Sequence, residues 1–194
     1  DIADLSIYGI GSANNGGGSD GQEFSFPAGS MTAGDYIYVA SEITGFNSFF
    51  GFSPDFTTGA MGINGDDAIE LFMNNSVIDV FGDINADGTG EAWEYLDGWA
   101  YRNSNTGPDG AAFTIANWSF SGPNALDGES SNSTASTPIP IGTYTNVSGG
   151  PAGTITSVPA SGSFFDVGTT EVTVTATDAA GNTNVCTFDV TVTD

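Results

Sequence analysis

Two runs near the C-terminal end alternate between apolar and polar residues, and this period of two constrains the fold more than any other feature. The runs are TEVTVTAT (170–177) and VCTFDVTVT (185–193). Alternation places every second side chain on the same face of a β-sheet, so the runs predict two strands joined by a hairpin turn at Asp178–Asn182. The residues predicted for the apolar face are Val172, Val174, Ala176, Cys186, Phe188, Val190 and Val192.

The rest of the chain favours the same fold class. No stretch shows sustained apolar spacing at the helical period, and 28 glycines among 194 residues indicate many turns between short strands. The 39% of hydrophobic residues, with 14 Phe, favour a folded core over disorder. The sequence therefore predicts an all-β protein. The single cysteine, Cys186, excludes an internal disulfide, and we expect it to be a small core residue.

A segment of small polar residues and prolines, GESSNSTASTPIPIG, divides the chain at residues 128–142. Its composition is typical of a linker, so we predict a first domain at 1–128, a linker at 129–147 and a second domain at 148–194. The second domain has only three or four predicted strands, which form one sheet with a bare apolar face. Either the first domain or strands of another chain must cover that face.

The charge of the chain excludes several classes of partner. Arg102 is the only basic side chain, and 24 acidic residues give a formal net charge of −23. Such a surface repels nucleic acid and anionic membranes, and no apolar run is long enough to insert into a membrane. A saline, calcium-containing medium outside the cell suits it best, because salt and divalent cations screen the repulsion between copies. We expect the chain to be a processed or excised part of an exported precursor.

The stretch DINADGTGEAWE (83–94) carries oxygen ligands at the D-x-N-x-D-G-x5-E spacing of a calcium loop. A hard cation needs six to eight oxygens, and we expect Gly88 to permit the sharp turn between them. A strand-like run, VIDVF (77–81), precedes the loop, so we predict a calcium loop within a β framework. A solvated loop stabilised by Asx-turns is the alternative. The predicted ligands are Asp83, Asn85, Asp87, the Thr89 carbonyl, Glu91 and Glu94, with Asp66, Asp67 and Asp97 as weaker candidates.

Catalysis has little support in the sequence. A chain without His or Lys lacks the bases of the usual nucleophile triads, and one cysteine cannot replace the imidazole ligands of zinc. We therefore expect no enzymatic activity. Two binding features remain as alternatives to structural roles. Aromatic residues Trp93, Trp99 and Tyr101 could stack on polysaccharide, although core packing is favoured, and Asn132 is the most accessible glycosylation sequon.

Two parts of the chain resemble known families. The run from NGDDAIELF (64–72) through NWSFSGPNALDG (117–128) resembles bacterial members of the lamin-tail-domain family, and the resemblance extends over about 1–128. The run PASGSFFDVGTTEVTVTATDAAGNTNVCTFDVTVTD (159–194) resembles the second half of a hyalin-repeat (HYR) module. Both resemblances imply immunoglobulin-like β-sandwiches, and the second implies extracellular adhesion. The first part lacks the family's opening strands, and the second lacks the family's first half with its partner cysteine.

These features together predict two incomplete immunoglobulin-like modules, which strands from neighbouring subunits would complete. We predict a non-catalytic, extracellular structural subunit of a surface fibre or matrix, which polymerises head to tail with copies of itself and is stabilised by calcium. The alternative is an accessory adhesion or glycan-binding module of a larger secreted protein.

Overall fold

The computed structural model describes residues 1–146, 154–177 and 183–193. The predicted hairpin turn at 178–182 lies outside the described residues. The chain divides into two compact units, a first unit at Asp1–Thr145 and a second unit at Asn146–Asp194. The regular secondary structure of the described residues is mostly β-strand, with one short α-helix, in agreement with the predicted all-β, immunoglobulin-like fold class.

The first unit is built from short strands and turns. Its strands are β1 (Tyr8–Ala13), β2 (Phe24–Ser25), β3 (Val39–Ala40), β4 (Phe56–Thr57), β5 (Ala68–Met73), β6 (Ser76–Phe81), β7 (Ala100–Arg102) and β8 (Trp118–Phe120). Its helices are α1 (Thr44–Phe50) and four 3₁₀ turns at Leu5–Ile7, Asn14–Gly16, Gly59–Met61 and Ile115–Asn117. The main sheet has the order β2-β1-β5-β6, and β3 pairs with β4 and β7 with β8.

The hairpin of β5 and β6 organises the first unit. Asn74 and Asn75 form its turn with φ of 51° and 61°, the left-handed conformation that a tight hairpin turn requires. In the sequence, the strand-like runs at 64–72 and 77–81, with the turn residues NNS (74–76) between them, predict this hairpin, and the antiparallel pairing of β5 with β6 confirms it. On β5, Ala68, Glu70 and Phe72 are buried, while the alternate residues are only half-buried. The two faces of the sheet are therefore packed to different degrees.

Helix α1 was not predicted. The Glu42 carboxylate accepts hydrogen bonds from the N–H groups of Thr44 and Gly45, both at 2.7 Å, and satisfies the first turn. The Phe46 and Phe50 rings, one helical turn apart, lie 4.6 Å apart between centroids. Gly51, with φ of 80°, ends the helix. Seven residues are too few for helical periodicity to be detected in the sequence.

The second unit is an antiparallel sheet with the order β11-β10-β9. Its strands are β9 (Thr154–Val158), β10 (Gly168–Thr177) and β11 (Thr183–Val192). The register pairs Val172 with Phe188, and Val174 with Cys186. Because paired residues share a face, the predicted apolar face is confirmed, and Ile155 joins it through its pairing with Ala176. We call this surface the Phe188 face.

Most of the segment predicted as a linker packs on the first unit. The backbone N–H of Asn132 donates to the Phe49 carbonyl at 2.9 Å, and the Tyr144 hydroxyl donates to the Thr106 carbonyl at 2.9 Å. The hydroxyl of Tyr101 accepts the N–H groups of Thr143 and Tyr144. These contacts place residues 129–145 with the first unit.

Candidate functional site

The acidic loop (83–94) lies between two strands, as the sequence predicts. Strand β6 ends at Phe81, β7 begins at Ala100, and turns connect them. The side chain of Trp93, 4% exposed, anchors the loop in the core. There its ring packs edge to face with Phe81 at 6.0 Å and Phe113 at 6.1 Å between centroids. The loop is therefore held by an aromatic anchor rather than by flanking helices.

Gly88 has a different role from the one predicted. A Cβ at Gly88 would lie 2.6 Å from the Trp93 ring, so a side chain there would displace the anchor. The left-handed conformation in this loop is adopted instead by Gly90, with φ of 78°. The glycine of the calcium-type spacing thus permits close packing of Trp93, and the residue two positions later makes the sharp turn.

The predicted carboxylate ligands bind backbone N–H groups of their own loop. Asp83 accepts from Asn85, Asp87 from Thr89 and Glu94 from Gly90, each at 2.9 Å. The Thr89 backbone hydrogen bond, followed by that residue's side chain, lowers the pKa of Asp87. Among the residues that the structure describes, no group of three or more carboxylate, imidazole or thiolate groups is arranged to hold a metal ion. The predicted ligands are thus exposed or half-buried and do not form a metal-holding group: Asp83, Asn85, Asp87, Thr89, Glu91 and Glu94.

Asp66 contacts the acidic loop from the start of β5. Its Oδ2 accepts the Thr89 hydroxyl at 2.9 Å, and its backbone carbonyl accepts the Gly88 N–H at 3.0 Å. Its Oδ1 is buried and has no hydrogen-bond partner among the residues that the structure describes. A buried carboxylate oxygen without a partner is unfavourable, because water no longer solvates it. This weaker candidate from the sequence is thus the carboxylate whose environment most needs a cation or a water molecule.

The single cation of the chain lies in the interior of the first unit. Arg102 pairs with Asp79 at 2.5 Å and with Asp109 at 3.1 Å, and its guanidinium lies 4.4 Å from the centre of the Trp118 ring. The Arg102 side chain is 11% exposed. A cation held by two carboxylates and an aromatic face joins strands β6 and β7 to the loop that follows β7. Its position assigns Arg102 to the framework of the fold.

The three aromatic residues considered for glycan stacking have other contacts. Trp93 is buried against Phe81, the Trp99 indole donates to the Thr137 carbonyl at 3.0 Å, and the Tyr101 hydroxyl accepts two backbone N–H groups. The Asn132 side chain, the proposed glycosylation site, donates to the Ile139 carbonyl at 3.1 Å. It also accepts the Ile139 N–H at 2.7 Å. The structure thus gives each of these residues a structural contact.

The Phe188 face is the largest departure from ordinary packing. Phe188 is 53% exposed and Ile155 is 76% exposed, whereas Val172 is buried. Cys186, expected in the core, is exposed because it lies on this face. Strand β11 also forms an edge of the sheet, and Asp189 is its only charged residue. A ten-residue edge without Pro or Lys lacks the usual protection against pairing with another strand.

In the part of the chain that the structure describes, no helix is long and apolar enough to cross a bilayer.

Comparison with known proteins identifies one family. Residues 128–192 match the model of the HYR domain, a non-catalytic, adhesion-type family found in extracellular or surface proteins. The match includes the segment predicted as a linker and so covers more of the family than residues 148–194 alone. No curated protein and no solved structure is detectably similar to the chain. The lamin-tail resemblance of the first part therefore stays a prediction, and residues 128–192, about one third of the chain, are similar to a HYR domain.

Proposed function

We propose that the protein is a non-catalytic, extracellular structural subunit of a surface fibre or matrix, whose copies associate through the second unit. The observation that carries this proposal is the Phe188 face, which exposes large apolar side chains on an otherwise regular sheet. Exposed apolar surface on a folded sheet is typical of an interaction site. The HYR match at residues 128–192 supports the extracellular, adhesion-type setting.

The free edge of β11 supplies the geometry of association. An added strand gains main-chain hydrogen bonds along the ten residues Thr183–Val192, and its alternate side chains lie beside Phe188 on the same face of the sheet. Full burial of such side chains contributes about 1.5–3 kcal/mol each, before the cost of association. A strand from a neighbouring copy thus gives both affinity and register.

A head-to-tail contact of this kind produces a polymer. A surface of one copy that binds a different surface of the next does not close on itself, so addition continues along a filament. The net charge of −23 opposes the approach of copies, and salt or divalent cations reduce that repulsion. Assembly is therefore expected in saline medium and not at low ionic strength.

Calcium binding at the acidic loop is part of the proposal. The D-x-N-x-D-G-x5-E spacing and the unpartnered Asp66 oxygen beside Thr89 support it. Binding requires Asp83, Asp87 and Glu94 to turn from their backbone N–H partners towards the ion. Glu94 would then close the site with both oxygens, and the Thr89 carbonyl would supply a further ligand.

Electron microscopy of the purified chain in calcium-containing saline tests the assembly. Filaments are expected for the unchanged chain and for Val185→Thr, and discrete particles for Phe188→Thr. The two positions form a matched pair, because Phe188 and Val185 lie on the same strand with 53% and 54% exposure but on opposite faces. Monomers of the unchanged chain at every salt and calcium concentration would refute the proposal.

The second candidate is an accessory adhesion or glycan-binding module of a larger secreted protein. The HYR match favours it, since this family is generally of the adhesion type. Under this alternative the chain stays monomeric and binds polysaccharide. Glycan-array binding that is weakened by Trp99→Ala would support it, whereas filaments without glycan binding would exclude it.

A further inference from the structure

The first unit contains an apolar cleft that the proposed assembly does not use. Its volume is about 490 Å³, within the range of small-molecule sites in proteins. The cleft lies on the half-buried face of β5, where that strand's alternate residues remain incompletely covered. Its lining is mainly aliphatic and aromatic and includes Ile69, Leu71, Phe81, Trp99, Ala100 and Ile139.

Three polar side chains that line the cleft have partners, whereas the indole N–H of Trp118, also in the lining, is buried and has no hydrogen-bond partner among the described residues. Asp79 binds Arg102 and accepts the Asp109 N–H at 3.1 Å. The Tyr95 hydroxyl donates to the Asp67 carbonyl at 3.1 Å, and the Trp99 indole donates to the Thr137 carbonyl. The polar groups of Asp79, Tyr95 and Trp99 are thus already engaged, and the Trp118 N–H is the one side-chain donor left for an acceptor atom of a ligand. The rest of the lining favours apolar contact.

The charges of the chain disfavour anionic ligands in this cleft. Arg102, the only cation of the chain, is shared between two carboxylates, and the net charge of −23 raises the cost of bringing an anion to this surface. Fatty acids and other anionic amphiphiles are thus disfavoured, although their chains would fit the lining. We propose that the cleft is a binding site for a neutral, lipophilic small molecule, held by contact with the Trp99, Phe81 and β5 side chains.

A matched pair of fluorescent probes tests the selectivity for neutral molecules. N-phenyl-1-naphthylamine and 8-anilino-1-naphthalenesulfonate share an anilinonaphthalene body and differ in one sulfonate charge. The full-length chain is expected to bind the neutral probe saturably, at one molecule per chain, and to bind the anionic probe at least about tenfold more weakly. Equal affinities for the two probes, or no saturable binding of the neutral one, would overturn the proposal.

Cavity-filling variants locate the site. Ala100→Leu and Ile139→Phe each enlarge a lining residue and are expected to weaken binding of the neutral probe about tenfold or more. Two lining variants are used so that the test remains valid if one of them does not fold. Ala112→Leu adds the same atoms at an exposed position outside the lining and should bind as the unchanged chain does. Undiminished binding by both folded lining variants would exclude the cleft.

The Phe188 face and a second copy of the chain are the competing explanations. Phe188→Thr should leave binding of the neutral probe unchanged, because that residue belongs to the second unit. Loss of binding in that variant would place the probe on the sheet face and overturn the proposal. A probe stoichiometry that falls as protein concentration rises would assign the cleft to a segment of another copy, which would also overturn it. A constant stoichiometry supports a small-molecule site.

Discussion

Phe81 and Phe188 lie on strands of the two units and have opposite environments. Phe81 is 5% exposed, and its ring lies within 6.3 Å of five other aromatic rings, those of Trp93, Tyr95, Phe113, Trp118 and Phe120. Phe188 is 53% exposed on a sheet in which β10 and β11 pair without interruption over ten residues, longer than any pairing in the first unit. Regular strand pairing therefore does not by itself produce a packed core. The second unit has regular strand pairing, but large apolar side chains on its Phe188 face remain exposed.

The two units also differ in their charged and aromatic residues. The chain's only cation, all three Trp and all six Tyr lie in the first unit, whereas the strands of the second carry mostly Thr and Val. The first unit therefore holds its short strands together with side-chain contacts, and the second relies on main-chain pairing. Tryptophan fluorescence reports on the first unit alone, which allows the stability of the two units to be measured separately.

The largest expected effect is at Phe81. Phe81→Ala should lower the free energy of unfolding of the first unit by about 3–5 kcal/mol, because it removes the ring at the centre of the aromatic cluster. Urea unfolding followed by tryptophan fluorescence measures the change. Phe164→Ala is the control in the second unit: Phe164 is fully exposed, and its loss should change the stability of that unit, followed by amide hydrogen exchange, by less than about 0.5 kcal/mol. Equal effects at the two positions would remove the contrast between the units.

Arg102 tests whether polar contacts hold the first unit. Arg102→Met keeps the aliphatic stem but leaves Asp79 and Asp109 without their cation, and should cost about 2–4 kcal/mol. Arg102→Lys should cost less but not zero, because one ammonium group cannot reproduce the planar contact with both carboxylates and Trp118. The same urea titration measures both variants. If Arg102→Met is as stable as the unchanged chain, the attraction within the two ion pairs only offsets the cost of removing their charges from water.

The sequence predicts strands well where one face repeats. Period-two alternation predicts which residues of β10 and β11 lie on the Phe188 face, because side-chain direction follows from strand geometry alone, whereas the register and the place of Ile155 come from the structure. Helix α1 was not predicted, because its signals in the sequence are only aromatic residues one turn apart and a carboxylate that caps its first turn. The contacts of residues 129–145 with the first unit also escape prediction. Linker-like composition shows that a segment can be flexible, but packing decides whether it is.

The candidate site is less predictable than the fold. The spacing of its oxygen-bearing residues identifies the acidic loop but does not predict its shape. The shape depends on the close packing of Gly88 against the Trp93 ring. Asp66 has no motif of its own, and its contact with Thr89 joins residues 23 positions apart in the chain. The cleft is invisible in the sequence, because its lining residues come from strands and loops far apart in the chain and have ordinary core composition. Long-range packing creates all three features.

Calcium should stabilise the first unit and leave the second unchanged. At a calcium concentration about 100 times the dissociation constant, the free energy of unfolding should rise by about 2.7 kcal/mol relative to chelated protein. Asp87→Ala should abolish this increment, and Asp66→Asn should reduce it. Asp189→Ala removes one charge from the second unit and should retain it. These comparisons need constant ionic strength, since salt alone screens a charge of −23. Equal stability with calcium and with chelator would eliminate the metal site.

Tyr95 gives the first unit a characteristic alkaline dependence. Burial, and then the carboxylates of Asp67 and Asp66, raise the pKa of Tyr95 far above its usual value near 10. The folded pKa exceeds the unfolded one, so this contribution to stability is complete below pH 10 and is lost as pH rises above it. Tyr95→Phe should cost about 1 kcal/mol at pH 7, where the hydrogen bond to the Asp67 carbonyl is lost. Between pH 9 and pH 11, the stability of the Tyr95→Phe variant should fall less steeply than that of the unchanged chain. Urea titrations at several pH values measure this, and parallel curves for the two proteins would contradict it.

The smallest effect is expected at Phe188 in the dissociated chain. Phe188→Ala should change the stability of the second unit by less than about 1 kcal/mol at low protein concentration, because about half of the side chain is already exposed. Amide hydrogen exchange in β10 and β11 measures it, since the second unit has no Trp or Tyr. If neighbouring copies cover the Phe188 face, exchange of the unchanged chain should slow as concentration rises, and the variant should lose that dependence. A loss above about 2 kcal/mol that is independent of concentration would show that the same chain covers the face, because only an intramolecular contact is insensitive to dilution.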